Sequence, residues 1–282
     1  MKLPSRVMTI AGSAAGGSAG IQADLKTFQE LDVYGMSVVT AIVGRHPVTN
    51  KNVHLQTTEA IEAQFLTALE QVGMDAIKTG MLFSEEIIET VAKLIKQVSI
   101  NHYVLDPVMV GKMNSKLLED HAISLLKERL IPVATLITPN MPEASLLLNG
   151  RSLDDVDDLK QAAVDLYQLG PKAVLVKGGR LSGSAVDVLY DGKTITTFEA
   201  PRIDTANTSG AGCSYSAAIT ANLAKGETLV SAVQSAKQFV TTAIQYGFSY
   251  TDIVGPTYHA ALRKKGETIK INVTQNNEKT SL

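Results

Sequence analysis

The chain has 282 residues, 45% of them hydrophobic, and its 26 Lys and Arg nearly balance its 28 Asp and Glu, for a formal net charge of −2. This composition excludes a wholly disordered chain and lacks the basic excess typical of nucleic-acid-binding proteins. A single Cys excludes an internal disulfide and a cysteine-based zinc site. Residues 1–8 lack the apolar segment of a signal peptide, and no run of about 18 apolar residues occurs. We therefore expect a cytoplasmic protein that does not engage membranes.

Short β-type runs alternate with longer helical patterns along the chain. Strands are predicted at residues 6–11, 37–43, 75–79, 102–106, 134–137, 173–176, Ala185–Tyr190 and 194–199. Helices are predicted at residues 20–31, 58–72, 85–98, 116–130, 154–169, 210–224 and 229–246. Asp191-Gly192 is a two-residue hairpin signal, residues 50–56 are predicted to belong to a projecting hairpin, and the polar tail from residue 275 is predicted to be frayed.

This alternation predicts an α/β fold with a mostly parallel central sheet and helices on both faces. No linker, composition shift or repeat interrupts it, so one domain is expected over residues 1–282. In such folds ligands collect beyond the carboxyl ends of the strands. We therefore look for functional residues in the loops after these ends, and at the helix start near Gly210.

The first of these loops, residues 12–20, consists of Gly, Ser and Ala. Such a loop allows the backbone to approach a ligand closely, or it is simply a tight turn that packs the following helix. It lacks the Lys-Ser/Thr of a P-loop and the spacing of a dinucleotide fingerprint. Asp24 falls one turn into the next helix, where a solvated acid favoured by the helix dipole is the simplest interpretation.

Four polar side chains follow later strands. Asp106 precedes a proline and could meet a metal or a substrate hydroxyl, or only start a turn. Asn140 and Glu143 are three residues apart and could form a helix-capping box, or Glu143 could hold Mg²⁺ directly or through water. Lys177, followed by two glycines that end at Gly179, suits a phosphate chain or a turn.

The segment Gly210-Ala211-Gly212-Cys213 is the strongest of these signals. Two glycines lead into a helix of small residues, whose exposed amides would form an anion-binding site. Cys213 would lie in the first turn, where the positive end of the helix dipole is expected to lower the pKa of a thiol. The alternative is a buried Cys that acts as a small hydrophobic residue.

Together these motifs resemble the hydroxymethylpyrimidine kinase and pyridoxal kinase branch of the ribokinase-like superfamily. The resemblance covers residues 6–259, and its segments are residues 11–13 and 19–28, Lys78-Thr79-Gly80-Met81, Asp106-Pro107-Val108-Met109-Val110, Thr138-Pro139-Asn140-Met141-Pro142-Glu143-Ala144, Lys177-Gly178-Gly179 and Gly210-Ala211-Gly212-Cys213. The later segment Gly255-Pro256-Thr257-Tyr258-His259 is similar to a Gly-Pro-x-x-His segment of the same branch, and we assign it no role from the sequence.

The resemblance implies a three-layer αβα sandwich and an ATP- and Mg²⁺-dependent kinase that phosphorylates a hydroxymethyl group on a heteroaromatic ring. It implies catalytic roles for Cys213, Gly210, Ala211 and Gly212, and metal roles for Asp106 and Glu143. It implies nucleotide contacts for Asn140, Lys177, Gly179, Gly210 and Gly212, and substrate contacts for Gly12, Asp24, Val43, Met81 and Val108. It also suggests a homodimer, and it leaves open a requirement for a monovalent cation such as K⁺.

Three positions depart from the pattern of this branch. Ala14 stands where an Asp is usual, Ser209 where many relatives have His, and Arg45 where the pyrimidine kinases usually have Gln. Arg only donates hydrogen bonds, so Arg45 suits an acceptor such as a phenolate, carbonyl or phosphate and favours a pyridoxal-type substrate. In related pyridoxal kinases a Cys at the position of Cys213 can also add to the aldehyde.

Three other functions are weighed. A hydroxymethylpyrimidine or phosphomethylpyrimidine kinase is the main alternative. A non-catalytic B6-binding protein is another, suggested by Ala14 and Ser209. A nicotinamide-dependent oxidoreductase is opposed by the missing glycine spacing and by the lack of an acidic residue after the second strand.

Overall fold

The structure is a computed structural model that describes residues 3–44, 53–111, 117–252, 254–266 and 268–277. Within these ranges the strands are β1 (Arg6–Ala14), β2 (Tyr34–Val43), β3 (Val53–Leu55), β4 (Ala76–Thr79), β5 (His102–Leu105), β6 (Leu136–Ile137), β7 (Val174–Gly178), β8 (Ala185–Tyr190), β9 (Thr194–Ala200) and β10 (Asn272–Asn277). The helices are α1 (Ile21–Glu30), α2 (Thr58–Gln71), α3 (Glu85–Lys96), α4 (Asp120–Arg129), α5 (Met141–Leu147), α6 (Val156–Tyr167), α7 (Ala211–Ala224), α8 (Leu229–Gln245) and α9 (Ala261–Lys265).

All ten strands belong to one sheet, in the order β10-β9-β8-β7-β6-β5-β4-β1-β2-β3. The six strands from β7 to β2 are parallel to one another. The strands outside them, β3 on one side and β8 to β10 on the other, pair antiparallel. The predicted mostly parallel sheet is therefore confirmed, and its parallel strands end along one edge.

Apolar side chains cover both faces of this sheet. Tyr103 and Val104 are neighbours in β5 but point to opposite faces, as side chains in a strand do. Tyr103 packs in one cluster with Phe65 of α2, and Val104 packs in another with Phe239 of α8. A sheet between two helical layers follows, as the resemblance implied.

Most predicted boundaries agree with the structure within three residues, and there are two exceptions. The helix predicted at 116–130 begins only at Asp120, because Leu117 donates a hydrogen bond to the carbonyl of Met109 at 2.8 Å and Glu119 is extended. The prediction of a frayed tail from residue 275 is wrong as far as residue 277, because β10 pairs with β9 throughout Asn272–Asn277.

The two hairpin predictions have different outcomes. The turn at Asp191-Gly192 is confirmed, and the Asp191 carboxylate accepts hydrogen bonds from the amides of Lys193 and Thr194 at 3.0 and 2.8 Å. The hairpin expected at 50–56 is confirmed for β3, which pairs with β2, while residues 50–52 lie outside the described ranges. Among the described helices, none is both long and apolar enough to cross a bilayer.

Candidate active site

The two glycine-rich segments meet in space. Gly210, the N-cap of α7, has a φ of +84°, and a Cβ there would lie 1.6 Å from the carbonyl oxygen of Ser18. The Ser209 hydroxyl donates a hydrogen bond to that of Ser18 at 2.9 Å. Within the first loop, a Cβ on Gly20 would lie 2.1 Å from the Gly12 carbonyl oxygen. Glycine is thus required here for backbone packing, which confirms the tight-turn interpretation of the loop.

The start of α7 faces a cation. The first intrahelical bond runs from Ser214 N to Gly210 O at 2.8 Å, so the amides of Gly212 and Cys213 precede it and point out of the helix end. Lys177 Nζ lies 3.5 Å from the position that a Cβ on Gly212 would take. Helix amides and an ammonium group that converge on one space are able to bind an anion.

That space is a cavity of about 360 Å³. Four of the five predicted nucleotide-binding residues line it, namely Asn140, Lys177, Gly179 and Gly212. Gly210 adjoins it through Ala211, which also lines the wall. Sequence reasoning missed further lining residues: Asp187, Ile203, Tyr215, Lys237, Val240 and Ile244. The sequence carries no local signal for them, because β8, α8 and the segment after β9 converge only in the fold.

Asp106 is held between strand ends and α7. Its Oδ1 accepts hydrogen bonds from Lys177 Nζ at 2.8 Å and from Thr138 Oγ1 at 3.1 Å. Its Oδ2 accepts one from Ser216 Oγ at 3.1 Å. The carboxylate is therefore fixed by residues from β7 and α7 and from the segment after β6, which exceeds what a turn-initiating Asp requires.

Asn140 and Glu143 form the predicted capping box at the start of α5. Glu143 N donates to Asn140 Oδ1 at 3.0 Å, and Asn140 N donates to Glu143 Oε2 at 2.9 Å. Glu143 is only 2% exposed. Burial raises the pKa of its carboxyl to about 7; Lys177 opposes this shift and Asp106 adds to it. Within the described ranges, no group of three or more His, Cys, Asp or Glu could hold a metal ion.

Asp24 is not the solvated acid that its place in the first turn suggested. Asp24 and Lys78 are both 0% exposed. Lys78 Nζ donates to both carboxylate oxygens of Asp24 at 2.9 and 2.8 Å, and Thr9 Oγ1 donates to Oδ2 at 2.6 Å. Burial raises the pKa of Asp24, and the attraction of Lys78 opposes it. Lys78 is a site residue without a predicted role, and the signal for it is a Lys inside the four-residue buried strand β4.

Cys213 is partly exposed in the first turn of α7. Its predicted low pKa is wrong. Removal from water raises the pKa of the thiol to about 11, the nearby carboxylates Asp24 and Asp106 add to the rise, and Lys78 opposes it. The helix dipole is therefore outweighed, and near pH 7 Cys213 is a neutral thiol.

A family model described as "Phosphomethylpyrimidine kinase" matches residues 15–258. The chain belongs to the phosphomethylpyrimidine kinase family. A pyridoxine kinase of Bacillus subtilis is 48% identical over 262 residues, which cover 92% of this chain and 97% of that one. A hydroxymethylpyrimidine/phosphomethylpyrimidine kinase of the same organism is 41% identical over 261 residues, covering 92% and 96%.

Solved structures of related kinases have the same fold. The pyridoxal kinase from Staphylococcus aureus in complex with AMP-PCP and pyridoxal superposes with a TM-score of 0.89 at 39% identity, covering 98% of this chain and 100% of that one. An ADP complex of Bacillus subtilis pyridoxal kinase gives a TM-score of 0.88 at 47% identity, covering 92% and 99%. The ribokinase-like fold expected from the sequence is confirmed.

In this phosphomethylpyrimidine kinase fold, the predicted substrate residues come from four adjacent strands, in the order β5-β4-β1-β2. Gly12 lies near the end of β1, Val43 ends β2, and Met81 and Val108 follow β4 and β5. The structure thus brings their segments to one edge of the sheet, with Asp24 buried behind them. Arg45 lies outside the described residues.

Proposed function

We propose that this chain is an ATP-dependent kinase that phosphorylates the 5′-hydroxymethyl group of pyridoxal, pyridoxine or pyridoxamine. The observation that carries the proposal is the anion-binding space between the amides of α7 and Lys177, beside the only thiol of the chain. The 48% identity to a pyridoxine kinase and the likeness to a pyridoxal kinase solved with AMP-PCP and pyridoxal support this substrate class.

The nucleotide would lie in the 360 Å³ cavity. Asn140, Lys177 and Gly179 would contact its phosphates, and the backbone of Gly210, Ala211, Gly212 and Cys213 would stabilise the transferring phosphoryl group. Phosphoryl transfer depends mainly on positioning and on electrostatic stabilisation of charge. Backbone amides at a helix start and a fixed lysine supply both without a covalent enzyme intermediate.

We also propose that Asp106 and Glu143 hold Mg²⁺, directly or through water. The pair fits this ion, because Mg²⁺ in kinases takes one or two carboxylates and completes its shell with phosphates and water. The buried Glu143, whose pKa is raised to about 7, would be kept ionised by a cation. When bound, Mg²⁺ neutralises phosphate charge in the transfer.

Cys213 is proposed to meet the acceptor substrate in one of two ways. In its thiolate form it could take the proton of the hydroxymethyl group as that oxygen bonds to the γ-phosphorus and ADP leaves. Alternatively, its sulfur could bond to the aldehyde carbon of pyridoxal while the thiol proton moves to the aldehyde oxygen. If Cys213 is the base, Cys213→Ala should lower kcat by about 10²-fold or more. An unchanged kcat would restrict Cys213 to packing or aldehyde capture.

A second function, phosphorylation of hydroxymethylpyrimidine or its phosphate, is favoured by the family match and by the 41% identical relative. ADP release measured with pyridoxal, pyridoxine, pyridoxamine and hydroxymethylpyrimidine separates the two. A strong preference for the pyrimidine would overturn our proposal. Arg45→Gln should improve use of the pyrimidine if position 45 selects the substrate. Pyridoxal binding with no ADP release would instead indicate the non-catalytic alternative.

We further propose a single kinase domain over residues 1–282 that acts as a homodimer in the cytoplasm. The single sheet, which contains all ten described strands from β1 to β10, supports one domain. Light scattering of the purified protein tests the dimer, and a mass of one chain at micromolar concentration would exclude it.

A further inference from the structure

Residues 255–259, which we call the clasp, lie against the start of α7. The amide of Ser209 donates to the carbonyl of Gly255 at 3.1 Å, and the amide of Thr257 donates back to the carbonyl of Ser209 at 3.2 Å. These two bonds make a short parallel bridge beside the residue that precedes the N-cap Gly210. The clasp therefore touches the backbone from which the anion-binding amides start.

The clasp is itself fixed from behind. Tyr258 N donates to Ala243 O of α8 at 2.8 Å, and Phe248 N donates to Pro256 O at 3.2 Å. Gly255 N donates to Asn207 Oδ1 at 2.9 Å, and a Cβ on Gly255 would lie 1.8 Å from the carbonyl oxygen of Phe248. The segment is thus anchored to α8 and to residues 207 and 248 and can act as a rigid support.

One side chain of the clasp reaches into α7. His259 is 7% exposed, and its Nε2 lies 2.9 Å from the hydroxyl of Ser214, which is itself fully buried. The Ser214 hydroxyl donates to the carbonyl of Gly210 at 2.9 Å. The Gly210 carbonyl can only accept, so when the Ser214 proton lies in that bond the imidazole donates in the His259–Ser214 bond. A chain of two hydrogen bonds then ends on the Gly210 carbonyl.

The charge state of His259 agrees with this role. Burial lowers the pKa of the imidazole to about 4, with Lys26 adding to the shift and Glu30 opposing it. Near pH 7 the ring is neutral and has one N–H to donate. A neutral ring adds no positive charge beside the positive end of the α7 dipole.

We propose that His259 is a positioning residue for phosphoryl transfer, which orients Ser214 and the Gly210 carbonyl and so fixes the first turn of α7. The inference rests on the proposed kinase function and names a residue that acts on its anion-binding site. His259 does not contact the reacting groups. It acts through Ser214 on the turn that presents the Gly212 and Cys213 amides.

Four single variants and one double variant test the proposal. His259→Leu and Ser214→Ala each break the hydrogen-bond chain, whereas His259→Gln keeps an N–H donor at a similar reach. His102→Leu is the matched control, because His102 begins β5 at the opposite strand end and its buried Nδ1 has no hydrogen-bond partner among the described residues. A misplacement of about 1 Å can lower a rate about 10²-fold.

Steady-state kinetics with pyridoxal and ATP give the first readout. We expect His259→Leu to lower kcat about 10- to 100-fold while the KM for pyridoxal changes far less. His259→Gln should recover most of the lost kcat, and the double variant Ser214→Ala/His259→Leu should lose no more than either single variant. His102→Leu should remain close to wild type.

Hydrogen exchange measured by mass spectrometry gives a second readout that does not need turnover. In His259→Leu, exchange over residues 209–216 should become faster while exchange in α8 stays unchanged. An unchanged kcat in His259→Leu, or faster exchange in both helices alike, would overturn the inference. If wild type releases no ADP with any substrate, the kinase function fails, and with it the positioning role, whereas wild-type turnover with normal His259→Leu kinetics refutes the positioning role alone.

Discussion

The alkylation rate of Cys213 as a function of pH tests the electrostatics of the site directly. Because it is the only thiol in 282 residues, iodoacetamide labelling reports on it alone. The structure gives the native thiol a pKa of about 11. The same chain unfolded in urea supplies the reference, an ordinary cysteine with a pKa of about 8.5.

The expected magnitude follows from these two pKa values. At pH 8 a thiol of pKa about 11 is about 0.1% thiolate, whereas one of pKa about 8.5 is about 24% ionised, a ratio of about 240. A more basic thiolate is the better nucleophile, and a Brønsted slope of about 0.4–0.5 over this interval returns a factor of about 10 to 20. Native Cys213 should therefore react on the order of 20-fold more slowly than the unfolded chain at pH 8.

The shape of the profile separates ionisation from access. The native rate should keep rising about tenfold per pH unit up to pH 10, while the unfolded rate levels off near pH 9. Circular dichroism at each pH confirms that the native protein remains folded. A native profile that levels off below pH 9 would refute the reasoning, because it would mean that the helix dipole and Lys78 outweigh burial at this thiol.

Three further predictions concern the same edge of the sheet. Lys78→Met leaves the buried Asp24 without its cation and should lower the free energy of unfolding by about 3–5 kcal/mol. The control Arg6→Met breaks a partly exposed pair with Asp75 and should lower the free energy of unfolding by less than about 1 kcal/mol. Urea titration measures both values, and equal losses would contradict the burial of the Lys78 pair. Gly210→Ala should lower kcat about 10²-fold, because its Cβ meets the carbonyl oxygen of Ser18. The control Gly226→Ala has a φ of +91° and open space around its Cβ, so it should lose only about 1 kcal/mol of stability. Similar kcat values for the two variants would refute the contact at Gly210. In the ligand-free protein, the Glu143 carboxyl binds its proton more tightly in the folded than in the unfolded chain, so its contribution to stability is present below pH 4.5 and is lost as the pH rises through about 7. Urea titrations should therefore show wild type losing up to about 3 kcal/mol of its free energy of unfolding relative to Glu143→Gln over this pH interval. Parallel pH curves for the two proteins would contradict this prediction.

The sequence predicts those features that depend on neighbouring residues. The capping box of Asn140 and Glu143 joins two residues three apart, and the turn at Asp191-Gly192 is equally local. Both features could therefore be predicted from the sequence without knowledge of the fold. The parallel sheet followed from alternation alone, because few topologies accommodate it.

Features that depend on distant residues could not be predicted in the same way. Lys78 and Asp24 are 54 residues apart, and the position of Lys78 in a buried strand does not indicate which carboxylate it meets. The polar strand β10 forms because β9 offers a free edge, which outweighs the weak strand preference of Asn and Gln. The pKa of Cys213 is raised by loss of water around the thiol and by Asp24 and Asp106, which come from other segments, so an argument from its own helix gave the wrong direction.

The strand order has a consequence for how specificity can change. The predicted nucleotide contacts lie at the ends of β6 and β7 and at the start of α7, whereas the predicted acceptor contacts lie at or after the ends of β5, β4, β1 and β2. The start of α7 and Asp106 lie at the boundary between these halves. A substitution at the acceptor end of the sheet can therefore change which ring-bearing alcohol is preferred as substrate, while the phosphate-binding half keeps its geometry. The two halves of the sheet are thus separable targets for selection and for redesign.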